Sequence, residues 1–141
     1  MDEIDIIHAR GNQGELQKIS VEFSRLARYY SLALLKKHPA DRSSITQMYR
    51  AATSVGANIR EAKYAESRRD FQHKLKVAEK EMGEFYYWMG LLASDPSIVF
   101  HRDCPELLQM AQSVLKLLAT ISRSLKQSPV PSNQHPVTST Q

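Results

Sequence analysis

The sequence has little of what stabilises small exported proteins or crosses membranes: one cysteine, five glycines, six prolines and no long apolar run. The single cysteine, Cys104, excludes an intrachain disulfide framework and is typical of a reducing compartment. The longest apolar stretch, residues 85–93, contains Gly90 and is about half as long as a membrane-spanning helix. The first residues are acidic, whereas a secretory signal begins with basic residues. These absences predict a cytoplasmic protein that spans no membrane.

Helix breakers are scarce in the body of the chain, because three of the six prolines lie in the last thirteen residues. Four stretches carry apolar residues at alternating three- and four-residue spacings, which place those residues on one side of a helix. The predicted helices cover about 15–37, 44–64, 67–92 and 105–126. Short connections between consecutive helices favour antiparallel packing. The predicted fold class is therefore all-α, an antiparallel up-down-up-down four-helix bundle.

The length of 141 residues suits one domain, within which three segments are predicted. Residues 1–14 are predicted to form a flexible N-terminal arm, because Gly11 and Gly14 are expected to break a helix. Residues 15–127 form the predicted four-helix bundle. Residues 128–141 contain no charged residue and no periodicity, and they are predicted to be a disordered C-terminal tail.

The sequence also predicts which residues cap two of the helices and why one helix contains a glycine. Ser43 or Ser44 is predicted to cap the second helix. Ser67, with Asp70 three residues later, is predicted to cap the third. Gly56 lies inside the second helix, where glycine costs roughly 1 kcal/mol relative to alanine. It therefore indicates either a close helix–helix contact or a slight kink.

Positive charge is concentrated in the middle of the chain. The formal net charge is +4, but residues 42–80 hold nine basic and four acidic residues, a net of +5. The remaining residues therefore net −1. A concentrated basic surface attracts polyanions such as nucleic acids. A solvated helix face is the alternative interpretation of the same pattern.

Polar residues run beside the apolar stripes of the second and third helices. Small and polar groups in this position usually lie at a helix–helix boundary, where they donate hydrogen bonds across it. The residues predicted to form a buried polar network there are Arg50, Ser54, Asn58, Glu61, Glu81 and Glu84.

Catalytic and metal-binding patterns are missing from the sequence. The five histidines are scattered, and no pair has metal-site spacing with acidic or cysteine partners. There is no Gly-rich phosphate loop, and the Glu-x-x-His pairs of di-iron bundles are absent. The aromatic block at residues 85–88 is predicted to lie in the core or an interface rather than to stack on bases, since consecutive helical residues point in different directions. The sequence predicts no enzyme, no metal and no cofactor.

Two groups of residues in the central stretch match one known pattern. The first group is Arg50, Ala51, Ala52, Ser54, Val55, Ala57, Asn58, Ile59 and Glu61. The second group is Phe71, Lys74, Leu75, Ala78, Glu81, Glu84, Tyr87, Trp88 and Leu91. Together they resemble the small four-helix-bundle proteins encoded within intervening sequences of bacterial 23S ribosomal RNA genes. Gly56, Arg60 and Ala62 depart from that family's pattern.

The resemblance implies a homopentamer, with protomers arranged as a ring, and no catalytic activity. Similar bundles serve as accessory proteins of diversity-generating retroelements, which bind RNA and a reverse transcriptase. The leading hypothesis is a ring-shaped protein that binds RNA or DNA through phosphate contacts. The alternative is a protein–protein interaction scaffold or accessory subunit whose basic face meets an acidic partner. The residues predicted to contact phosphates are Arg60, Lys63, Arg68, Arg69, Lys74 and Lys76.

Overall fold

The computed structural model describes residues 3–99 and 101–127, and the side chains of residues 13–98 and 101–126. These segments are helical and contain no β-strand, which confirms the all-α fold class. In chain order the elements are α1 (Glu3–Lys37), a 3-10 turn (Pro39–Asp41), α2 (Arg42–Lys63), α3 (Arg68–Leu92), the short α4 (Pro96–Val99) and α5 (Cys104–Gln127). Within the described chain, no helix is both long and apolar enough to cross a membrane. The predicted tail at 128–141 lies outside the described residues.

The four long helices share one core. Helices α2 and α5 each contact both α1 and α3, so α1 and α3 face each other across the core. Phe23 of α1 meets Phe85 of α3 edge to face, with ring centroids 5.0 Å apart. An aromatic pair of this geometry contributes about 0.5–1.5 kcal/mol beyond its buried area. The predicted apolar stripes supply the core, and the fully buried side chains include Leu16, Leu34, Ile45, Met48, Val55, Ile59, Ala78, Met82, Leu107, Ala111, Val114 and Leu118.

The first helix begins earlier than the sequence pattern indicates. Helix α1 starts at Glu3 rather than near Glu15, and Gly11 and Gly14 both lie inside it. The physical reason is that an interior glycine weakens a helix by only about 1 kcal/mol and does not have to end it. The predicted flexibility of residues 1–14 is a separate matter and stays a prediction.

The caps of α2 and α3 have different outcomes. The predicted caps at Ser43 and Ser44 are wrong, because α2 begins at Arg42 and Asp41 occupies the N-cap position. The cap at Ser67 is confirmed. Its Oγ accepts a hydrogen bond from the backbone N–H of Asp70 at 3.0 Å. Such a bond satisfies one of the free N–H groups at a helix start and typically contributes about 1 kcal/mol.

Gly56 of α2 faces Ser20 and Ser24 of α1. A Cβ added at Gly56 would lie 2.6 Å from Ser24 Oγ and 3.5 Å from the backbone oxygen of Ser20. Carbon and oxygen atoms do not approach to 2.6 Å without overlap, so the lack of a side chain at Gly56 leaves room for the Ser24 hydroxyl in the position that it has. Of the two interpretations open from the sequence, the structure favours the close contact.

The segment after α3 covers one end of the core. Ile98 is buried, and its carbonyl accepts a hydrogen bond from the Tyr30 hydroxyl at 3.0 Å. Burial raises the pKa of Tyr30 well above its usual range, and the neighbouring Cys104 adds to the shift. This hydrogen bond connects α1 to the segment before α5 at a place that water does not reach. The side chains of Val99 and Phe100 lie outside the described residues.

Candidate nucleic-acid interface

The connection between α2 and α3 is short, and basic residues lie in the helix ends on both sides of it. Arg60 and Lys63 lie in the last turn of α2, where cations interact favourably with the negative end of the helix dipole. The Lys63 ammonium lies 5.7 Å from the centroid of the Tyr64 ring, and Tyr64 itself is exposed. Part of the charge at this connection therefore stabilises the end of α2, whether or not a ligand binds there.

Two lysines of α3 that are predicted to contact phosphates have acidic partners within the protein. The Lys74 ammonium lies 3.0 Å from Glu61 Oε2, and this hydrogen bond raises the pKa of Lys74. The Lys76 ammonium lies 3.4 Å from Glu79 Oε2, one turn along the same helix. Both pairs are substantially exposed, so a phosphate can compete for either lysine at a modest cost.

Two arginines near the connection hold neighbouring helices. Arg60 Nε donates to Gln17 Oε1 at 3.3 Å, and the Gln17 amide in turn donates to the Ile59 carbonyl at 2.5 Å. Arg68 is half-buried and donates to the carbonyl of Leu125 in the last turns of α5. The Arg68 guanidinium thus binds carbonyl oxygen where the end of α5 leaves acceptors unsatisfied. Its contacts connect α3 to α5, which is a structural role.

A groove of about 460 Å³ runs between α3 and α5 and gathers basic side chains. Arg69, His73 and Lys76 line it from α3, and Lys126 lines it from α5. Residues spaced by four and then three share one face of a helix, so the three α3 residues form a row. The groove also holds Glu79, whose second oxygen accepts a hydrogen bond from Ser122 at 3.1 Å. The lining carries three permanent cations and one carboxylate, which is a positive surface.

The predicted polar network is centred on Arg50. Its Nη2 donates to Glu84 Oε1 at 2.5 Å and to Glu81 Oε2 at 3.3 Å, across the α2–α3 boundary. Its Nη1 donates to Ser54 Oγ at 3.4 Å, and its Nε donates to Gln47 Oε1 at 3.2 Å. One guanidinium thus connects α2 to two carboxylates of α3.

This network lies at the surface rather than in the core, which corrects the prediction that it is buried. The side chains of Arg50, Glu81 and Glu84 are 43%, 20% and 38% exposed. The hydrogen bond from Arg50 lowers the pKa of Glu84, and a second one from Trp88 Nε1 at 3.3 Å lowers it further. Water screens pairs of this exposure, so the network is worth less than a buried one.

Two members of the predicted network lie elsewhere. Asn58 donates to the backbone carbonyl of Ser54 at 2.8 Å, within its own helix, instead of bonding across to α3. Glu61 does cross to α3, but it pairs with Lys74 and not with the Arg50 cluster. A polar side chain can bond to the carbonyl four residues back, and that local bond competes with one across the interface.

The aromatic block is divided between the core and the surface. Phe85 is fully buried, as predicted, and Trp88 packs partly buried against the core. Tyr87 is 62% exposed and contacts the Trp88 ring edge to face, at 5.0 Å between centroids. Tyr87 and Leu91, also exposed, lie four residues apart and form an apolar patch on α3.

Sequence reasoning missed three features of the surface. Lys126 joins the α3 cations only because the end of α5 lies beside the start of α3, and nothing in its own neighbourhood indicates that. Gln17 becomes a partner of Arg60 from a helix 43 residues away. His38 comes close to Asp95 across an even longer separation. Each of these depends on helix packing, which spacing within one helix does not reveal.

The comparisons with known proteins settle the family. The model of the 23S rRNA-intervening sequence protein family matches residues 12–120. This chain belongs to that family. A similar solved structure is that of a protein of unknown function from the S23 ribosomal protein family of Bacteroides thetaiotaomicron VPI-5482. It is 32% identical, its TM-score is 0.67, and the match covers 79% of this chain and 98% of the other. No curated protein matches this chain. Membership in the 23S rRNA-intervening sequence protein family associates the chain with ribosomal RNA genes.

Proposed function

We propose that this member of the 23S rRNA-intervening sequence protein family is a non-catalytic, oligomeric nucleic-acid-binding protein, and that RNA phosphates lie along the groove between α3 and α5. The observation that carries the proposal is the alignment of four basic side chains on this groove. These are Arg69, His73, Lys76 and Lys126. Arg69 and Lys76 are seven residues apart, which is about 10 Å along the helix and enough to contact two or three phosphates of one strand.

The chemistry of the groove suits a backbone better than a base. An arginine fork can donate two parallel hydrogen bonds to one phosphate, and lysine adds a mobile point charge. Contacts of this kind position a nucleic acid without reading its sequence. We therefore expect binding with little sequence preference and a steep dependence on salt.

The arrangement of the helices that we propose is an antiparallel four-helix bundle. Cross-helix pairs support it, because partners later in one helix lie earlier in the next. Arg50 of α2 pairs with Glu84 of α3, whereas Glu61, further along α2, pairs with Lys74, nearer the start of α3. The same reversed order places the start of α3 beside the end of α5, through the contact from Arg68 to Leu125, and so builds the groove.

We propose that the bundle assembles into a ring, five-membered as the family resemblance implies. Two exposed apolar pairs support a contact between copies: Tyr29 and Leu32 on α1, and Tyr87 and Leu91 on α3. Because α1 and α3 face each other across the core, the two pairs lie on opposite sides of the protein. Two different patches on opposite sides favour a head-to-tail contact, which closes into a ring when the rotation fits.

Light scattering on the purified protein tests the assembly directly. The expected mass at micromolar concentration is that of a closed oligomer, and Leu91→Glu is expected to reduce it while the helical circular dichroism signal persists. Leu91 is 47% exposed in the single chain, so the substitution leaves the core untouched. A monomer mass for the unsubstituted protein would contradict the ring.

A protein–protein scaffold is the second candidate function. The specific observation that favours it is that Lys74 and Lys76 already have acidic partners, so fewer cations are available than the sequence suggests. An acidic protein would then use the basic face, and the exposed aromatic patch would add apolar area. Both candidate functions depend on the positive charge of the protein. A test that distinguishes them therefore has to measure binding to a nucleic acid and to compare substitutions inside the groove with substitutions outside it.

The decisive test is RNA binding by a groove variant and a charge-matched control. The groove variant is Arg69→Glu with Lys126→Glu. The control is Lys18→Glu with Lys116→Glu, two exposed lysines outside the groove that change the net charge equally. Fluorescence anisotropy with a labelled structured RNA is measured between about 50 and 200 mM salt, where phosphate contacts dominate the affinity.

The groove variant is expected to bind at least about tenfold more weakly at the lowest salt. Its log–log salt slope is expected to fall by about 1–2, since each lost phosphate contact removes somewhat less than one counterion. The control is expected to bind like the unsubstituted protein. Equal losses of RNA affinity in both variants would mean that the net charge of the protein, and not the groove, attracts the RNA. Unchanged binding in the groove variant would favour the scaffold function.

A further inference from the structure

His38, Asp41 and Asp95 come together from three segments that the sequence separates. His38 follows α1, Asp41 ends the 3-10 turn before α2, and Asp95 lies between α3 and α4. One ligand atom of each lies within 4.8 Å of the other two, and all three residues are half-buried. We propose that this cluster is a binding site for a first-row divalent metal ion of the zinc type, independent of the proposed nucleic-acid groove.

Hydrogen bonding around Ser97 decides which histidine nitrogen is available. The Ser97 hydroxyl donates its single hydrogen to Asp95 Oδ1 at 2.8 Å, because an ionised carboxylate can only accept. The same hydroxyl lies 3.2 Å from His38 Nε2, so there it can only accept, and Nε2 carries the hydrogen. In the neutral imidazole, the other nitrogen, Nδ1, is left with its lone pair.

That lone pair faces a carboxylate. With His38 neutral, its Nδ1 and Asp95 Oδ2, 3.5 Å apart, are two electron-rich atoms with no hydrogen between them. A metal ion between the two atoms, or a proton on Nδ1, removes the repulsion. A histidine held by a hydrogen bond on its other nitrogen is the usual arrangement of a metal ligand, and here Ser97 would supply that second contact.

Asp41 makes the third donor. It occupies the N-cap position of α2, yet its carboxylate makes no capping hydrogen bond to the described backbone. Two carboxylates supply two negative charges, which match a divalent ion. One imidazole nitrogen with two carboxylate oxygens suits zinc and its first-row neighbours better than magnesium, which prefers oxygen alone and keeps its water.

The geometry requires only a small closure. Ligand atoms around a zinc ion lie about 2.0–2.2 Å from it, so they are roughly 3–4 Å from one another. The residues lie in connections between helices, where a shift of about 1 Å disturbs little of the core. A bound ion would fasten the α1–α2 connection to the segment after α3.

Zinc titration of the metal-free protein tests the site, by calorimetry and by the rise in Tm. One zinc ion per chain is expected to bind and to raise the Tm, and magnesium at the same concentration is not. His38→Ala and Asp41→Asn are expected to weaken zinc binding at least tenfold. Ser97→Ala is expected to weaken it by about 10–100-fold, as for other residues that orient a ligand. His73→Ala changes an exposed histidine near the start of α3, at the opposite end of that helix from Asp95, and this matched control is expected to bind zinc like the unsubstituted protein.

The Asp95→Asn variant distinguishes a metal ion from a proton as the cation that lies between His38 Nδ1 and the carboxylate of Asp95. The asparagine keeps an oxygen for the Ser97 bonds and puts an NH₂ group opposite Nδ1, which can then accept a hydrogen bond. The Tm in chelator is therefore expected to rise at neutral pH, while the response to zinc is lost. If Asp95→Asn instead lowers the Tm in chelator, and zinc does not change the Tm of the unsubstituted protein, then a protonated His38 pairs with Asp95 and the metal site is refuted. Zinc binding that survives in His38→Ala would also overturn the site.

Discussion

The contact between Gly56 and Ser24 gives the sharpest prediction about how the helices pack. Replacing Gly56 by alanine has two opposing effects on the free energy of unfolding. Alanine favours the helix by about 0.5–1 kcal/mol, because glycine loses more backbone entropy on folding. Against this, the new Cβ would lie 2.6 Å from Ser24 Oγ, well inside van der Waals contact. Relieving such an overlap by a rotamer change or a helix shift typically costs about 1–3 kcal/mol.

Gly56→Ala is therefore expected to lower the free energy of unfolding by about 0.5–2 kcal/mol. Ser24→Ala removes the offending oxygen, and the remaining Ser24 Cβ lies 3.9 Å from the added Cβ, an ordinary contact. In that background, Gly56→Ala is expected to stabilise the protein by about 0.5–1 kcal/mol. The two sites are thus coupled by about 1–3 kcal/mol, which a double-mutant cycle measures.

Urea unfolding followed by circular dichroism provides the assay, at one fixed protein concentration because assembly contributes to apparent stability. Gly83→Ala is the matched control. It is an exposed interior position of α3 where an added Cβ would meet no described heavy atom within 4 Å. It is expected to stabilise by about 0.5–1 kcal/mol. If Gly56→Ala stabilises the unsubstituted protein as much as Gly83→Ala does, then the overlap with Ser24 Oγ carries no cost and the expected coupling is refuted.

Two further predictions concern hydrogen bonds between helices. Arg50→Ala is expected to lower the free energy of unfolding by about 1–2 kcal/mol, after allowance for solvent screening, because Glu81 and Glu84 lose their shared partner. Since pairing lowers the pKa of Glu84, this stabilisation is present above the pKa of an unfolded glutamate and disappears as the pH falls through the lowered value. Denaturation at pH 7 and in acid is expected to show a shrinking difference, and a constant one would contradict the pairing. Tyr30→Phe is expected to cost about 0.5–1.5 kcal/mol with an unchanged circular dichroism spectrum, because the buried carbonyl of Ile98 loses the Tyr30 hydroxyl and keeps only the His101 N–H as a donor. A shift in midpoint below experimental error would refute that role.

The helices and their inward faces were predictable because the spacing of apolar residues within one helix is enough to indicate which of them are buried. A three-four spacing of apolar residues fixes which side of a helix turns inward, and Ile45, Met82 and Val114 are fully buried where that spacing places them. The Ser67 cap was predictable for the same reason, since donor and acceptor are three residues apart. The start of α1 was not, because two glycines weaken a helix without determining where it ends.

The candidate site was much less predictable, because charge counting treats every cation as available. Arg68 donates to a carbonyl 57 residues away, and Lys126 reaches the groove from the last helix. Neither relation exists until α3 and α5 are packed in one particular register. Asn58 was assigned to the wrong partner, because a local carbonyl and a cross-helix carboxylate are equally plausible from the sequence and differ only in geometry.

Photo-cross-linking of the protein to a structured RNA, with the linked peptides identified by mass spectrometry, tests the central claim most directly, because it locates the contact rather than its strength. At low salt, the cross-links are expected to fall on residues 69–76 of α3 and 122–126 of α5, which line the groove. They are expected to disappear from both segments as salt approaches about 200 mM, as phosphate contacts do. Cross-links confined to the exposed face of α1, or spread evenly over exposed lysines and arginines, would contradict a nucleic-acid site in the groove.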